Sequence, residues 1–312
     1  MTMREQVHVR EVGPRDGLQM VQTTLSTERK LAWCRGAAAA GIHEIEVTSF
    51  VPATIVPQFA DAEEVARGAL AIGGFTPTAL VPNLKGAERA FAIGLPRINY
   101  VLSASEEHNL SNVRRTTEES VHDFARIVAA RDALDGPRVA LGAGVATAFG
   151  CTIAGAVSEA RVVELAVRLA EAGADEIIVA DTVGYGDPGQ VHRIMSAVVK
   201  AVGEVPVACH FHDTRGLGLA NVIAALEVGV RAFDASLAGL GGCPFAPGAT
   251  GNIATEDTVF LLEQLGFDTG VDVDALLVLR REVETWLPGE RFSGSIARAG
   301  LPKTYRRLVD AA

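Results

Sequence analysis

The chain has no closely paired cysteines, no surplus of positive charge and no uninterrupted apolar run of membrane length. Its four cysteines, Cys34, Cys151, Cys209 and Cys243, are scattered over 312 residues without a CxxC spacing. They are expected as free thiols in a reducing cytoplasm, because a disulfide framework uses denser spacing. The opening "MTMREQVHVR" lacks the apolar core of a secretory leader, which fits the same cytoplasmic expectation. A net charge of -10 and a pI near 5.2 weigh against nucleic acid and anionic membranes as main partners. The most apolar stretch, "GALAIGGFTPTALVPNL" from Gly68, is broken by Gly73, Gly74, Pro77 and Pro82. It predicts a helix end, a turn and a strand rather than a span. No GxGxxG or GxxxxGKS/T follows an early strand, so the usual phosphate turn of an open doubly wound sheet is missing.

What the chain does have is alternation. With 48% hydrophobic residues and a mean hydropathy of +0.23, it has ample material for a buried core. Short apolar runs begin at Val7, Glu44, Thr76, Arg97, Arg138, Glu176, Val205 and Ala232, and a helical pattern follows each. "SEARVVELAVRLAEAGA" from Ser158 shows that pattern well, with Ser158 as candidate N-cap and Gly173 as stop. The endings "AAAAGI", "AIGLPR", "AEAGAD" and "LEVGVR" share one grammar, a helix closed by glycine just before the next strand. Eight such units predict an α/β fold, a (β/α)8 TIM barrel over about 7–270. A C-terminal helical extension over about 271–312 follows, with 1–312 as a single domain. The extra helix "VDALLVLRREVETWL" is the basis for expecting a homodimer.

Catalysis in such barrels uses the C-terminal ends of the strands. His210 and His212, in "ACHFHDT", stand two apart at the end of the seventh strand and so point the same way. Two imidazoles followed by Asp213 suit a divalent metal; the competing reading is a pair of satisfied core histidines. The first strand ends in "EVGPRDGLQ", a tight turn that carries Arg15 and Asp16. Asp16 is a candidate ligand and Arg15 an electrophilic partner, unless the two form an ordinary surface ion pair. Glu46, on the inward face of the second strand, is an ion-pair partner of Arg15, a site residue, or both. Asp181 closes the sixth strand and is either a site residue or the cap of the following turn. After the eighth strand comes "GLGGCPFAPGATGN", rich in glycine and proline, as in a mobile loop that approaches a ligand closely. Cys243 within it is a candidate proton donor or acceptor, against an incidental thiol. Asn252 at its end offers an amide oxygen to a metal.

These segments together resemble the 3-hydroxy-3-methylglutaryl-CoA lyase family of the DRE-TIM metallolyase superfamily. "EVGPRDGLQ", "EVTSFVPATIVPQFAD", "VPNLKG", "HFHDT", "AGLGGCPFAPGATGNIATED" and "GFDTGVD" correspond in order, and the cysteine loop has the lyase form. The resemblance implies one divalent cation, Mg2+ or Mn2+, held by Asp16, His210, His212 and Asn252. It implies functional roles for Arg15, Glu46, Asp181 and Cys243, and an acyl-CoA substrate cleaved to acetyl-CoA and a keto acid. Citramalyl-CoA or a longer 3-hydroxy-3-alkylglutaryl-CoA is an alternative substrate. A condensing synthase of the isopropylmalate or homocitrate type, and an acyl-CoA-binding protein without turnover, are rival readings. The rim departs from the family: Met20-Val21-Gln22, "ATAFGCTIAG", "SASEEHNLSNVRRT" and Arg215-Gly216-Leu217 replace its usual residues. Arg215 is a candidate partner for a substrate carboxylate or CoA phosphate, or simply a solvated arginine.

Overall fold

A computed structural model describes residues 4–242 and 251–305. Eight parallel strands close into a barrel in sequential order: β1 His8–Glu11, β2 Glu44–Ser49, β3 Thr76–Val81, β4 Arg97–Ser103, β5 Ala140–Ala146, β6 Glu176–Asp181, β7 Val207–Phe211 and β8 Ala232–Ala235. Every predicted strand is present. The fifth and seventh begin two residues later than the apolar runs do, after Arg138-Val139 and Val205-Pro206. Pro206 precedes β7, where its missing N–H costs no ladder bond, and its carbonyl accepts from Ile177 N at 2.9 Å.

The outer helices are α1 Thr27–Ala39, α2 Ala62–Ile72, α3 Leu84–Ile93, α4 Glu106–Val113, α5 Thr117–Asp132, α6 Glu159–Glu171, α7 Pro188–Val202, α8 Gly218–Glu227 and α9 Thr255–Gln264. Their starts follow capping chemistry. Asn83 accepts from Gly86 N, Asp187 accepts from Gln190 N ahead of Pro188, and Thr116 with Glu119 forms a reciprocal capping box. Ser158 occupies the N-cap position of α6 as expected, but its side chain makes no capping hydrogen bond. The four glycines of the shared endings, Gly41, Gly94, Gly173 and Gly229, all have positive φ. At Gly41 a Cβ would also lie 2.3 Å from the Gly270 carbonyl oxygen, so the position is closed to other residues twice over.

Beyond the barrel come α10 Val273–Trp286 and α11 Ile296–Ala299. The helix on which the dimer expectation rested is not a spare surface: α10 buries Val273, Leu276, Leu279 and Val283. Gly36 of α1 leaves room for Leu279 against it. No helix among the described residues is long and apolar enough to cross a membrane.

Along β2, Glu44, Glu46 and Thr48 alternate with buried Ile45 and Val47, which face the helices. The barrel interior is correspondingly ionic. Arg10 of β1 donates to Glu176 of β6 at 2.5 Å and to Asp234 of β8 at 2.7 Å. Strands β1 and β6 are not neighbours, so the first contact crosses the lumen. Arg97 of β4 pairs with Glu176, and with Glu44 at 3.1 Å. Buried charges persist only when paired, and these are.

Candidate active site

The turn after β1 is wide. The Val12 carbonyl accepts from the backbone nitrogens of Arg15, Asp16 and Gly17, at 3.1, 2.6 and 3.3 Å. Pro14 has no N–H to place in that turn, and Gly17 packs where a Cβ would lie 2.9 Å from Ser236 Oγ. The result aims two adjacent side chains at the barrel mouth. Arg15 donates through Nε to Glu46 and through Nη1 to Asp16 Oδ1 at 2.6 Å. Glu46 is held from its other oxygen by Asn99 Nδ2 at 3.0 Å. Glu46 is therefore the ion-pair partner that the sequence offered as one of its two roles.

Asp16 Oδ2 faces β7. It lies 3.9 Å from His210 Nε2 and 3.7 Å from His212 Nε2, and those two nitrogens are 3.2 Å apart. Both imidazoles are buried. Asp16, His210 and His212 form the one group of three potential metal ligands found among the described residues. Burial alone would raise the Asp16 carboxyl pKa, but Arg15, aided by the two imidazoles, outweighs it and holds the group well below the ordinary range. Burial disfavours the His210 imidazolium, yet Asp234 and Asp16 outweigh that and raise its pKa.

Asn252 reaches the same point from the far end of the chain. Backbone pairing of His212 with Asn252, with Asp213 N on the Gly251 carbonyl at 2.9 Å, fixes it beside β7. Its Nδ2 donates to Asp16 Oδ2 at 2.7 Å and to the Leu240 carbonyl at 2.8 Å. Gly241 makes room: a Cβ there would sit 2.4 Å from that nitrogen. The amide nitrogen, rather than the expected oxygen, thus faces Asp16, and the buried Oδ1 has no hydrogen-bond partner. A carboxylate, two converging imidazole nitrogens and an unpartnered amide oxygen are the donor set of a divalent cation such as Mg2+ or Mn2+. The residues present fit such an ion.

Asp181 is not one of the Asp16, His210 and His212 group, but His212 acts electrostatically on its carboxylate. Its two oxygens accept from Tyr185 N at 2.8 Å and Gly186 N at 3.0 Å, so it caps the β6 turn, the alternative left open by the sequence. Burial raises its pKa, and the two backbone N–H groups only partly offset this. Cys243 lies outside the described residues. Arg215 donates to the carbonyls of Val183 and Gly184 and stacks 4.4 Å over the Tyr185 ring. It lines a cavity of about 420 Å³ with Phe149, Tyr185 and Gln190. Sequence reasoning missed Asn99 and Asp234. Asp234 Oδ2 lies 3.2 Å from His210 Nδ1, and the signal was a carboxylate inside the strand "AFDA". Burial works against the Asp234 charge, but Arg10 and His210 bring its pKa down to about 2.

The HMGL-like family model matches residues 6–283. The hydroxymethylglutaryl-CoA lyase of Bacillus subtilis is 39% identical over 284 residues, covering 91% of this chain and 94% of its own. The (R)-citramalyl-CoA lyase of Chloroflexus aurantiacus is 42% identical over 320 residues, covering 99% and 98%. Among solved structures, an HMG-CoA lyase from Acinetobacter baumannii in complex with coenzyme A and 3-methylmalate superimposes with a TM-score of 0.90. It shares 42% identity, over 97% of this chain and 98% of that one. Matches of this extent, on a barrel with this site, show that the chain belongs to the hydroxymethylglutaryl-CoA lyase (HMGL-like) family and is a carbon–carbon lyase.

Proposed function

We propose that the protein cleaves a 3-hydroxy-3-methylglutaryl-CoA-like thioester, in a divalent-metal-dependent retro-Claisen reaction, to acetyl-CoA and a keto acid. The observation that carries this reading is the convergence of Asp16, His210 and His212 beside the Arg15–Glu46 pair. Bound among Asp16, His210, His212 and Asn252, the cation would supply Lewis acidity to the substrate's tertiary hydroxyl. Asp181, with its raised pKa, is the base we assign to the hydroxyl proton. As that proton leaves, the bond between C2 and C3 breaks, C3 becomes the ketone carbon, and its electron pair passes into a thioester enolate. Arg15, pinned by Glu46 and Asp16, donates to the enolate oxygen as charge develops there. The Cys243 thiol gives its proton to C2, and acetyl-CoA results.

The coenzyme A bound in the Acinetobacter relative supports an acyl-CoA substrate here. The citramalyl-CoA lyase, similar over nearly the whole chain, favours a second reading on the same chemistry, with citramalyl-CoA as substrate. The altered rim, including Arg215, bears on which acyl group enters. A panel of 3-hydroxyacyl-CoA thioesters, incubated with Mn2+-loaded protein and analysed by mass spectrometry, tests both. Acetyl-CoA with acetoacetate supports the first, and acetyl-CoA with pyruvate the second. Cleavage of none of the panel contradicts both.

A further inference from the structure

We propose that Asp234 is a positioning residue for the metal site: it fixes the tautomer of His210 so that Nε2 presents a lone pair to the cation. The proposal rests on the metal reading of Asp16, His210 and His212 given above.

The geometry is a relay of three side chains. Asp234 Oδ2 lies 3.2 Å from His210 Nδ1. A carboxylate only accepts, so the neutral imidazole, the form a cation binds, carries its proton on Nδ1 and leaves Nε2 bare toward Asp16 and His212. The carboxylate is itself immobilised, because Arg10 Nε donates to its other oxygen at 2.7 Å. Arg10 is in turn anchored by Glu176 at 2.5 Å, and Glu176 also takes Arg97. The parallel register of β7 and β8 sets His210 directly opposite Asp234. His212 has no such partner: its Nδ1 is buried and unpaired. The two imidazoles are therefore unequal, and His210 is the one held ready in ligand form.

Asparagine at position 234 has nearly the same shape and inverts this logic. Arg10 can only donate, so it keeps the amide oxygen and turns the NH2 toward His210 Nδ1. That nitrogen must then accept, the proton moves to Nε2, and the lone pair needed by the cation is lost. A simple packing defect would not change a tautomer.

The test has two readouts on metal-free and Mn2+-titrated protein. Long-range 1H–15N correlation spectra, with a His210→Gln variant to assign the signal, report the tautomer of His210. Mn2+ affinity is measured by electron paramagnetic resonance. At a pH where the imidazole is neutral, the wild-type spectrum is expected to show the Nδ1–H form. D234N is expected to show the Nε2–H form and to bind Mn2+ some 10–100-fold more weakly. A wild-type His210 in the Nε2–H form overturns the proposal, and this reading stands even if D234N does not fold. Wild-type affinity in folded D234N also overturns it, while leaving the metal site intact. Wild-type protein that binds no Mn2+ at all removes the metal reading and the proposal with it.

Discussion

The Nε2 atoms of His210 and His212 stand 3.2 Å apart, with the Asp16 carboxylate within 3.9 Å of each. His210 lies in β7 and His212 one residue past its end, bridged to Asn252, so the two-residue period of extended backbone presents both side chains to one face. Two imidazole nitrogens this close cannot both carry protons toward each other. They share one proton or turn lone pairs to a common cation. Replacing His212 with glutamine is expected to weaken Mn2+ binding more than roughly 100-fold, beyond the loss typical of an outer-shell partner. Calorimetric titration of metal-free protein checks this, with circular dichroism as the control for folding.

In the proposed mechanism Arg15 bears on the chemical step more than on the metal. Arg15→Gln keeps a donor but loses the charge, and turnover is expected to fall roughly 10²–10⁴-fold with Mn2+ affinity changed by less than about tenfold. Arg15→Lys is expected to rescue little, since lysine cannot span Glu46 and Asp16 from one planar group. Glu46→Gln should cost less than either, because Glu46 acts through Arg15. Steady-state kinetics on whichever thioester the panel identifies gives the ranking; equal losses for Glu46→Gln and Arg15→Gln would contradict it.

Much of this was legible in the sequence. All eight strands follow from apolar runs, and their order from the repeated helix–glycine–strand ending. His210 and His212 stood out because polar side chains sat where a strand end should be apolar, and Arg15 and Asp16 because a Gly/Pro turn placed them on the catalytic face. The ionic lumen was not legible: Arg10 and Asp234 are 224 residues apart and meet only when the barrel closes. A lone aspartate in an apolar run carries no mark of the imidazole it will face. Asn252 was found, but which amide atom faces Asp16 depends on Leu240 and Gly241, and that is a packing outcome.

Glu11 makes stability depend on pH. Its buried carboxylate accepts from Gly13 N, Leu237 N and Thr255 Oγ1, tying the Asp16 turn to the segment after β8. Burial pushes its pKa from 4.5 up to about 7, against those three donors. The folded chain thus holds the proton more tightly than the unfolded chain does. The resulting stabilisation, about 3 kcal/mol, is complete below about pH 4.5 and is lost as pH rises to about 7. Glu11→Gln cannot titrate, so its stability relative to wild type should improve between about pH 5 and pH 8. Urea midpoints at both pH values measure this; parallel shifts in the two proteins would refute it.

Arg280 on α10 ties the C-terminal extension to the segment after β8. It pairs with Glu256, which is fully buried and also accepts from Ala238 N at 3.1 Å. Removing one partner of such a pair strands the other charge. Arg280→Met is expected to destabilise by about 3–5 kcal/mol, and adding Glu256→Gln should recover much of the loss. Denaturant unfolding with an unchanged slope checks both steps.

The most direct test of the whole account is anomalous diffraction from crystals grown with Mn2+. One peak bonded to Asp16, His210 and His212 is predicted, with Arg15 adjacent to it. A manganese-loaded crystal with no density among those three side chains, or with the ion seated elsewhere in the barrel, would contradict it.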